Sequence, residues 1–250
     1  MPIWVELLLS ITLDVLKEIL SAIPKSIDKW RFKRFFGRHA LSGEKIFAVV
    51  DPYTHPIPRV GNRYIKKFLN RKPDQPLVGE DNVLGVNVVR VVTYVSAMFS
   101  AYRRNNNPIA VVTDEQVVDK WDGTFICFGS ADSNLKTYDI ENLPQQQFYK
   151  FDFGPNGFRR YNIGGKEFGG ARNQDYGILL RIKNPYHPNH FLFVCAGLGE
   201  WGTSGTAYYL FTNWKKLYKQ YKQKDFCKII EVKIGSDESA HEVFSISGES

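Results

Sequence analysis

Cysteine is scarce in this sequence and scattered. The 250 residues hold three, Cys127, Cys195 and Cys227. The number is odd, the separations are wide and no CxxC occurs, which removes a disulfide framework and a thioredoxin-like motif. Cys127 and Cys195 sit inside apolar, strand-like runs and read as reduced, buried thiols of a cytoplasmic protein. The five histidines, His39, His55, His187, His190 and His241, are equally dispersed. No metal site is expected from them, and no cofactor. Long apolar runs are missing too. Near the N-terminus the longest charge-free run is the seven residues Leu7 to Leu13, whereas a membrane-spanning helix needs about 20. The same region lacks a basic start and carries Glu6 and Asp14 within its apolar part, so it is a poor secretory leader. Internal repeats and low-complexity linkers are absent, which speaks against a solenoid or a string of modules.

The chain is well supplied with apolar mass. Hydrophobic residues make up 43% and aromatics 14%, enough to bury a sizeable core. Lys and Arg number 33 against 26 Asp and Glu, a net charge of +7. That permits an acidic partner without identifying one. No nucleic-acid-binding module is recognisable, so nucleic acid is not expected.

The stretch "IWVELLLSITLDVLKEILSAIP" predicts a helix ended by Pro24. Glu6, Ser10, Asp14, Lys17 and Ser21 fall on one stripe and leave a wide apolar face, including Leu7, Leu8, Ile11 and Val15. "KSIDKWRFKRFFGR" follows, with six basic residues, Asp28 as its one acid, and Trp30, Phe32, Phe35 and Phe36 interleaved. Residues 1–38 therefore read as an amphipathic, basic helical arm. It suits an anionic membrane surface, a partner chain in an oligomer, or the protein's own domain. The expected location is the cytoplasm, at the inner face of the membrane.

Residues 44–250 read as one α/β domain. Continuous apolar runs predict strands at "KIFAVV", Ile109–Val112, Thr124–Phe128, Tyr176–Ile182, Phe191–Ala196 and "KIIEVKIG". "GEDNVLGVNVVRVVTYVSAMFSAYRR" predicts a helix, with Leu84, Val88, Val91, Val92, Val95 and Phe99 on one face and Glu80 and Asp81 at its start. A second helix is expected from about Thr203 to Tyr221. "FDFGPNGFRRYNIGGKEFGGARNQ" reads as a β-hairpin or an ordered surface loop, and the tail after Ser236 as polar. Buried strands followed by helices imply a mainly parallel sheet, and the turn-linked pair before Gly197 adds an antiparallel hairpin. The expectation is a three-layer, Rossmann-like α/β sandwich.

In such sheets ligands bind beyond the carboxyl ends of the strands. Three loops leave those ends: Asp51–Arg59, Gly129–Asn134 and Gly197–Gly205. They are expected to meet in one crevice. In "GLGEWGTSGTA", Gly197, Gly199 and Gly202 spell GxGxxG, and Thr203 or Ser204 is a good helix N-cap. Glycine backbone and a helix N-terminus suit a phosphate. The basic "KKLYKQYKQK" that follows has no ribose-binding acid, which excludes a standard dehydrogenase. In "FGSADSN", Gly129, Ser130, Asp132, Ser133 and Asn134 suit ribose hydroxyls, or the cap of a helix at Leu135. Glu200 stands among glycines with no packing reason for a carboxylate. Asp175 ahead of a strand and Asp51 at a strand end are further acids. In a nucleotide cleft such groups suit the oxocarbenium-like transition state of N-glycosidic cleavage, with Glu200 and Asp175 the candidate catalytic pair.

Gly79 to Leu210, about half the chain, resembles poorly characterised prokaryotic Rossmannoid domains of defence-associated or membrane-linked proteins. The likeness is carried by the "GED" helix start, the "ICFGSADSN" turn, and "DYGILLRIKNPYHPNHFLFVCAG" with its Gly-Thr loop. Gly129-Ser130-Ala131 stands where those domains have Gly-Gly-Pro. Gly199, Gly202 and Thr203 are similar to the nucleotide loop of the SLOG and TIR-like superfamily. The resemblance implies nucleotide handling. Three functions stand as expectations: an effector that hydrolyses a glycosidic bond of NAD or a nucleotide, a nucleotide sensor without turnover, and an oligomerising or membrane-associated protein acting through its arm.

Overall fold

The computed structural model describes residues 26–51, 85–103, 109–154 and 157–248. Ten strands and five helical segments lie among them. In chain order they are helical residues 26–36 (α1), β1 (Ile46–Val50), α2 (Val86–Ser100), β2 (Ala110–Thr113), α3 (Asp114–Val117), β3 (Thr124–Phe128) and α4 (Leu135–Glu141). There follow β4 (Tyr149–Phe153), β5 (Arg159–Ile163), β6 (Lys166–Gly169), β7 (Gln174–Lys183), β8 (Phe191–Gly197), α5 (Glu200–Tyr221), β9 (Phe226–Lys233) and β10 (Ser236–Ser247). The expectations for residues 1–25, for Glu80, Asp81 and Leu84, and for Pro52–Arg59 lie outside the described residues.

Seven strands form one sheet in the order β10-β9-β7-β8-β3-β1-β2. β2, β1, β3 and β8 pair in parallel, and β7 joins β8 and β9 antiparallel. β10 runs antiparallel to β9. Thus β1, β2, β3, β8 and β9 share one direction, and β7 and β10 oppose it. The fold is α/β with a mainly parallel sheet carrying the expected hairpin.

Side-chain alternation splits the core over the two faces of the sheet. Ile126 and Phe128 of β3, with Phe193 and Cys195 of β8, enter one cluster. Phe125, Cys127, Leu192 and Val194 enter the other. Every residue of β3 and β8 is buried, as central strands covered on both faces require. The first cluster is closed by α1, α2 and α5. The second is closed by Val117 of α3, Ile140 of α4, and Tyr149, Tyr161 and Ile163 of a separate antiparallel sheet, β4-β5-β6.

Two sequence expectations change. The segment around "FDFGPNGFRRYNIGGKEFGG" is a complete three-stranded sheet rather than a single hairpin or loop. The polar tail after Ser236 is a 12-residue edge strand. Its partly exposed alternation hides a strand that β9 pairs, after a turn in which Gly235 takes φ +95.

The described part of the arm, 26–38, belongs to the core. Phe32, Phe35 and Phe36 are spaced i, i+3, i+4, so they share one helix face, and all three are 0% exposed. Phe32 and Phe36 pack on Phe99 at 5.0 and 5.1 Å between ring centroids, and Phe35 lies 5.7 Å from Phe193. Burying each ring contributes about 1.5–3 kcal/mol. Arg181 of β7 pins the helix end by donating from Nε to the Phe35 carbonyl at 3.1 Å. The three phenylalanines thus dock on the protein's own domain, while Trp30 and the cations between them stay exposed. Among the described residues no helix is long and apolar enough to cross a membrane.

Candidate functional site

The carboxyl ends of β1, β3 and β8 open into one cleft of about 2040 Å³. The helix after β1 covers one sheet face and the helix after β3 the other, which leaves a crevice between those strand ends. Asp51, Gly129, Ser130, Asp132, Ser133, Asp175, Gly197, Gly199, Glu200 and Thr203 all line it. Two of the three expected loops, 129–133 and 197–203, meet there with Asp51, the one described residue of the third. Asn134, Gly202 and Ser204 do not line it.

Asn134 is fully buried. Its Oδ1 accepts from the Thr137 amide at 3.0 Å as the N-cap of α4, and its Nδ2 donates to the Phe128 carbonyl at 3.0 Å. The side chain closes the end of β3 and has no face toward a ligand. Ser204 points away from the cleft, and its hydroxyl donates to Asp237 of β10 at 2.6 Å. Tyr94 donates to the other Asp237 oxygen at 2.9 Å. Burial and that bond push the Tyr94 phenol up to about 12, so it stays a donor.

The glycine loop differs from the expected phosphate cradle. α5 begins at Glu200, three residues before Thr203, and its N-cap is Gly199, which offers no side-chain cap. The cap comes from another strand. Asp175 of β7 accepts from the Gly199 amide at 3.1 Å, the Gly202 amide at 2.6 Å and its neighbour Tyr176 at 2.8 Å. The Gly202 amide, at the third position of the helix, is the donor that an N-cap side chain would satisfy. Burial pushes the Asp175 carboxyl above its ordinary value, and the three amides and Arg159 pull it back. Thr203 Oγ1 takes the Gly197 amide at 2.9 Å.

The glycines are explained by close packing of α5 on β7. A Cβ at Gly197 would stand 2.2 Å from the Thr203 nitrogen, and one at Gly202 would stand 2.5 Å from the Tyr176 carbonyl oxygen. Neither position has a positive φ. Space, not backbone freedom, demands glycine there.

The other wall comes from β4 and β5. Phe153 is directly opposite Arg159 in the ladder, Phe151 opposite Tyr161, and Tyr149 opposite Ile163. All six side chains share one face. At the inner end that face is core: Tyr161 is 0% exposed and donates its hydroxyl to the Ala196 carbonyl at 2.9 Å. At the outer end it overhangs the cleft, where Phe153 is 52% exposed. Arg159 ties the overhang to both loops. Its guanidinium meets Asp132 at 2.6 Å and donates to the Leu198 carbonyl at 3.0 Å. Ser130 donates to the other Asp132 oxygen at 2.5 Å.

Glu200 is exposed and makes no hydrogen bond or ion pair with the described residues. It occupies the first turn of α5, where a carboxylate complements the helix dipole. Asn87 Oδ1, on a residue lining the α2 side, is buried without a partner among the described residues. Among the described residues the lining carries six acids, Asp51, Asp132, Glu141, Asp152, Asp175 and Glu200, against Lys150, Arg159 and Arg172. A chain of net charge +7 thus presents an acid-rich cleft.

Arg159, Phe153 and Asn87 were not among the residues expected from sequence. The signal for the first two was "YKFDF" followed by "FRRYNI", two runs alternating with period two. The described residues contain no cluster of His, Cys, Asp or Glu fit to hold a metal ion. No family model, no curated protein and no solved structure matches this chain.

Proposed function

We propose that the cleft is a nucleotide site in a Rossmann-like three-layer fold, and that Glu200 serves hydrolysis of an N-glycosidic bond of NAD or a nucleotide. The observation that carries the reading is Glu200, an exposed carboxylate with no partner among the described residues. It stands in an acid-rich cleft where three strand ends meet. Loops beyond the carboxyl ends of parallel strands are the usual ligand position of open α/β sheets. Carboxylates suit a positively charged, oxocarbenium-like transition state. Water gives its hydroxyl to C1′ of the ribose. The C1′–N electron pair leaves with the base, neutral in the case of nicotinamide, and Glu200 takes the water's proton.

Incubation of the full chain with NAD and common nucleotides, read by chromatography, tests this. Glu200→Gln is expected to lower product formation at least about 100-fold, with the melting temperature unchanged. Absence of product from the wild-type protein at high concentration would remove the enzymatic reading.

A second reading, nucleotide sensing without turnover, draws on Asp175. Both of its oxygens are engaged by amides of the α5 start, so Glu200 lacks the paired acid expected beside it. Ligand-induced thermal stabilisation without product would favour sensing. Three buried, unpaired cysteines suit a cytoplasmic setting. Attachment to an anionic membrane face or to further copies would rest on the N-terminal residues ahead of the docked phenylalanines.

A further inference from the structure

The two ends of a nucleotide need different surfaces: a flat apolar one for the base and a cationic one for the phosphate. The glycine loop supplies little of the second, because the Gly199 and Gly202 amides already donate to Asp175 and the Gly197 amide to Thr203. The overhang of β4 and β5 has both surfaces side by side. Phe153 and Arg159 are cross-strand partners on one face, close enough to contact one ligand.

The same face is buried at Tyr149 and Tyr161 and emerges only at this end. An aromatic ring continuing a core stripe into open space is an apolar surface that the described chain leaves half uncovered. Phe153 is braced from behind by Phe151 at 5.5 Å, in an edge contact. Arg159 has five N–H donors. Its contacts to Asp132 and to the Leu198 carbonyl hold the fork between the β3 and β8 loops. Its side chain remains 44% exposed.

We infer that Phe153 and Arg159 form the recognition subsite of the cleft, Phe153 stacking the base of a nucleoside 5′-phosphate and Arg159 binding its phosphate. This rests on the reading of the cleft as a nucleotide site and specifies which residues hold each end of the ligand. The pairing of ring and guanidinium selects the occupant. Where acids outnumber cations an anion binds only at a fixed cation, and Arg159, held by Asp132 and the Leu198 carbonyl at the junction of two cleft loops, keeps N–H donors beyond those two contacts. The aromatic beside it sets the orientation, with the base on the overhang and the sugar toward Glu200.

Titration calorimetry on the full chain tests this, with nucleoside 5′-monophosphates, the matching nucleosides and NAD as probes. Arg159→Met is expected to weaken the monophosphates about tenfold or more and leave the nucleosides unchanged. Phe153→Ser is expected to weaken monophosphate and nucleoside alike, by about tenfold. Should Arg159→Met lower the melting temperature, Arg159→Lys replaces it. A loss of about threefold confined to the monophosphates is then expected. Wild-type binding that both variants retain in full would overturn this subsite while leaving the nucleotide reading intact. A wild-type protein that binds none of the probes would overturn both.

Discussion

The loop at residues 197–203 and the outer end of β4-β5 line the same cleft, yet they use their chemical groups differently. The loop looks like a ligand motif, but the amides of its three glycines are consumed internally by Asp175 and Thr203. The overhang matches no motif, yet it carries a ring 52% exposed and a guanidinium 44% exposed. A polar group already satisfied within the fold gains little from a ligand, whereas an exposed ring and the remaining N–H donors of a half-exposed guanidinium have contacts to make. Glycines mark where backbone comes close. Whether the visitor is a phosphate or a neighbouring strand depends on what already occupies the donors.

The largest effect that separates the two regions is steric. Gly202→Ala places a methyl 2.5 Å from the Tyr176 carbonyl oxygen, against backbone that has nowhere to move. It is expected to cost about 3 kcal/mol, read as a lowered denaturation midpoint. Gly170→Ala is the control. Gly170 lines the same cleft with nothing within 4 Å of its would-be Cβ, and its substitution is expected to stay within about 0.5 kcal/mol. Equal effects at the two positions would dissolve the distinction between a packed loop and an open wall.

The sheet was legible in the sequence because buried strands are written as runs of one residue class. β1, β2, β3, β7, β8 and β9 all appear within two residues of their expected bounds. β10 was not legible. Its sequence "SDESAHEVFSIS" is that of an edge strand, held by pairing with β9, by the buried Asp237, by the ion pair of Glu242 with Lys228 and by Phe244 and Ile246 against the core. The cleft was legible as a meeting of loops. The assignment of roles within it was not, because the partner of the Gly199 and Gly202 amides lies 24 and 27 residues away in the chain. Asn134 shows the same limit: a ribose contact and a helix cap ask for the same residue, and only the fold reveals the cap.

A smaller effect tests the occupant of the loop. Asp175→Ala leaves the Gly199 and Gly202 amides without their acceptor and is expected to cost about 2 kcal/mol. The cost is expected to depend on pH. Burial raises the Asp175 carboxyl above its ordinary 3.8, so ionising it is harder in the folded chain than in the unfolded one. The stability it contributes is therefore complete below pH 3.8 and falls as pH rises through the folded value. The gap between wild type and variant should be widest in acid and narrow toward neutrality in denaturant titrations across that range. A gap that widens with pH would mean that the three amides and Arg159 outweigh burial. Asp175 would then hold the loop as a charged anion, in the manner expected of a phosphate.

The smallest effect on stability belongs to the overhang, and its smallness is what gives it meaning. Phe153→Ser removes a ring that is 52% exposed and braced on one side by Phe151. Surface substitutions of this kind usually stay within about 0.5 kcal/mol. Tyr149 and Tyr161 share the same face two and more positions inward, but they are core, at 3% and 0% exposure. Truncating either to Ala should cost about 3–5 kcal/mol, the range for a buried aromatic. One stripe of side chains would then contain both a structural end and an end that the fold does not need. A melting temperature that falls for Phe153→Ser as it does for Tyr161→Ala would make the overhang an extension of the core. An unchanged one leaves the exposed ring to be explained by what binds it.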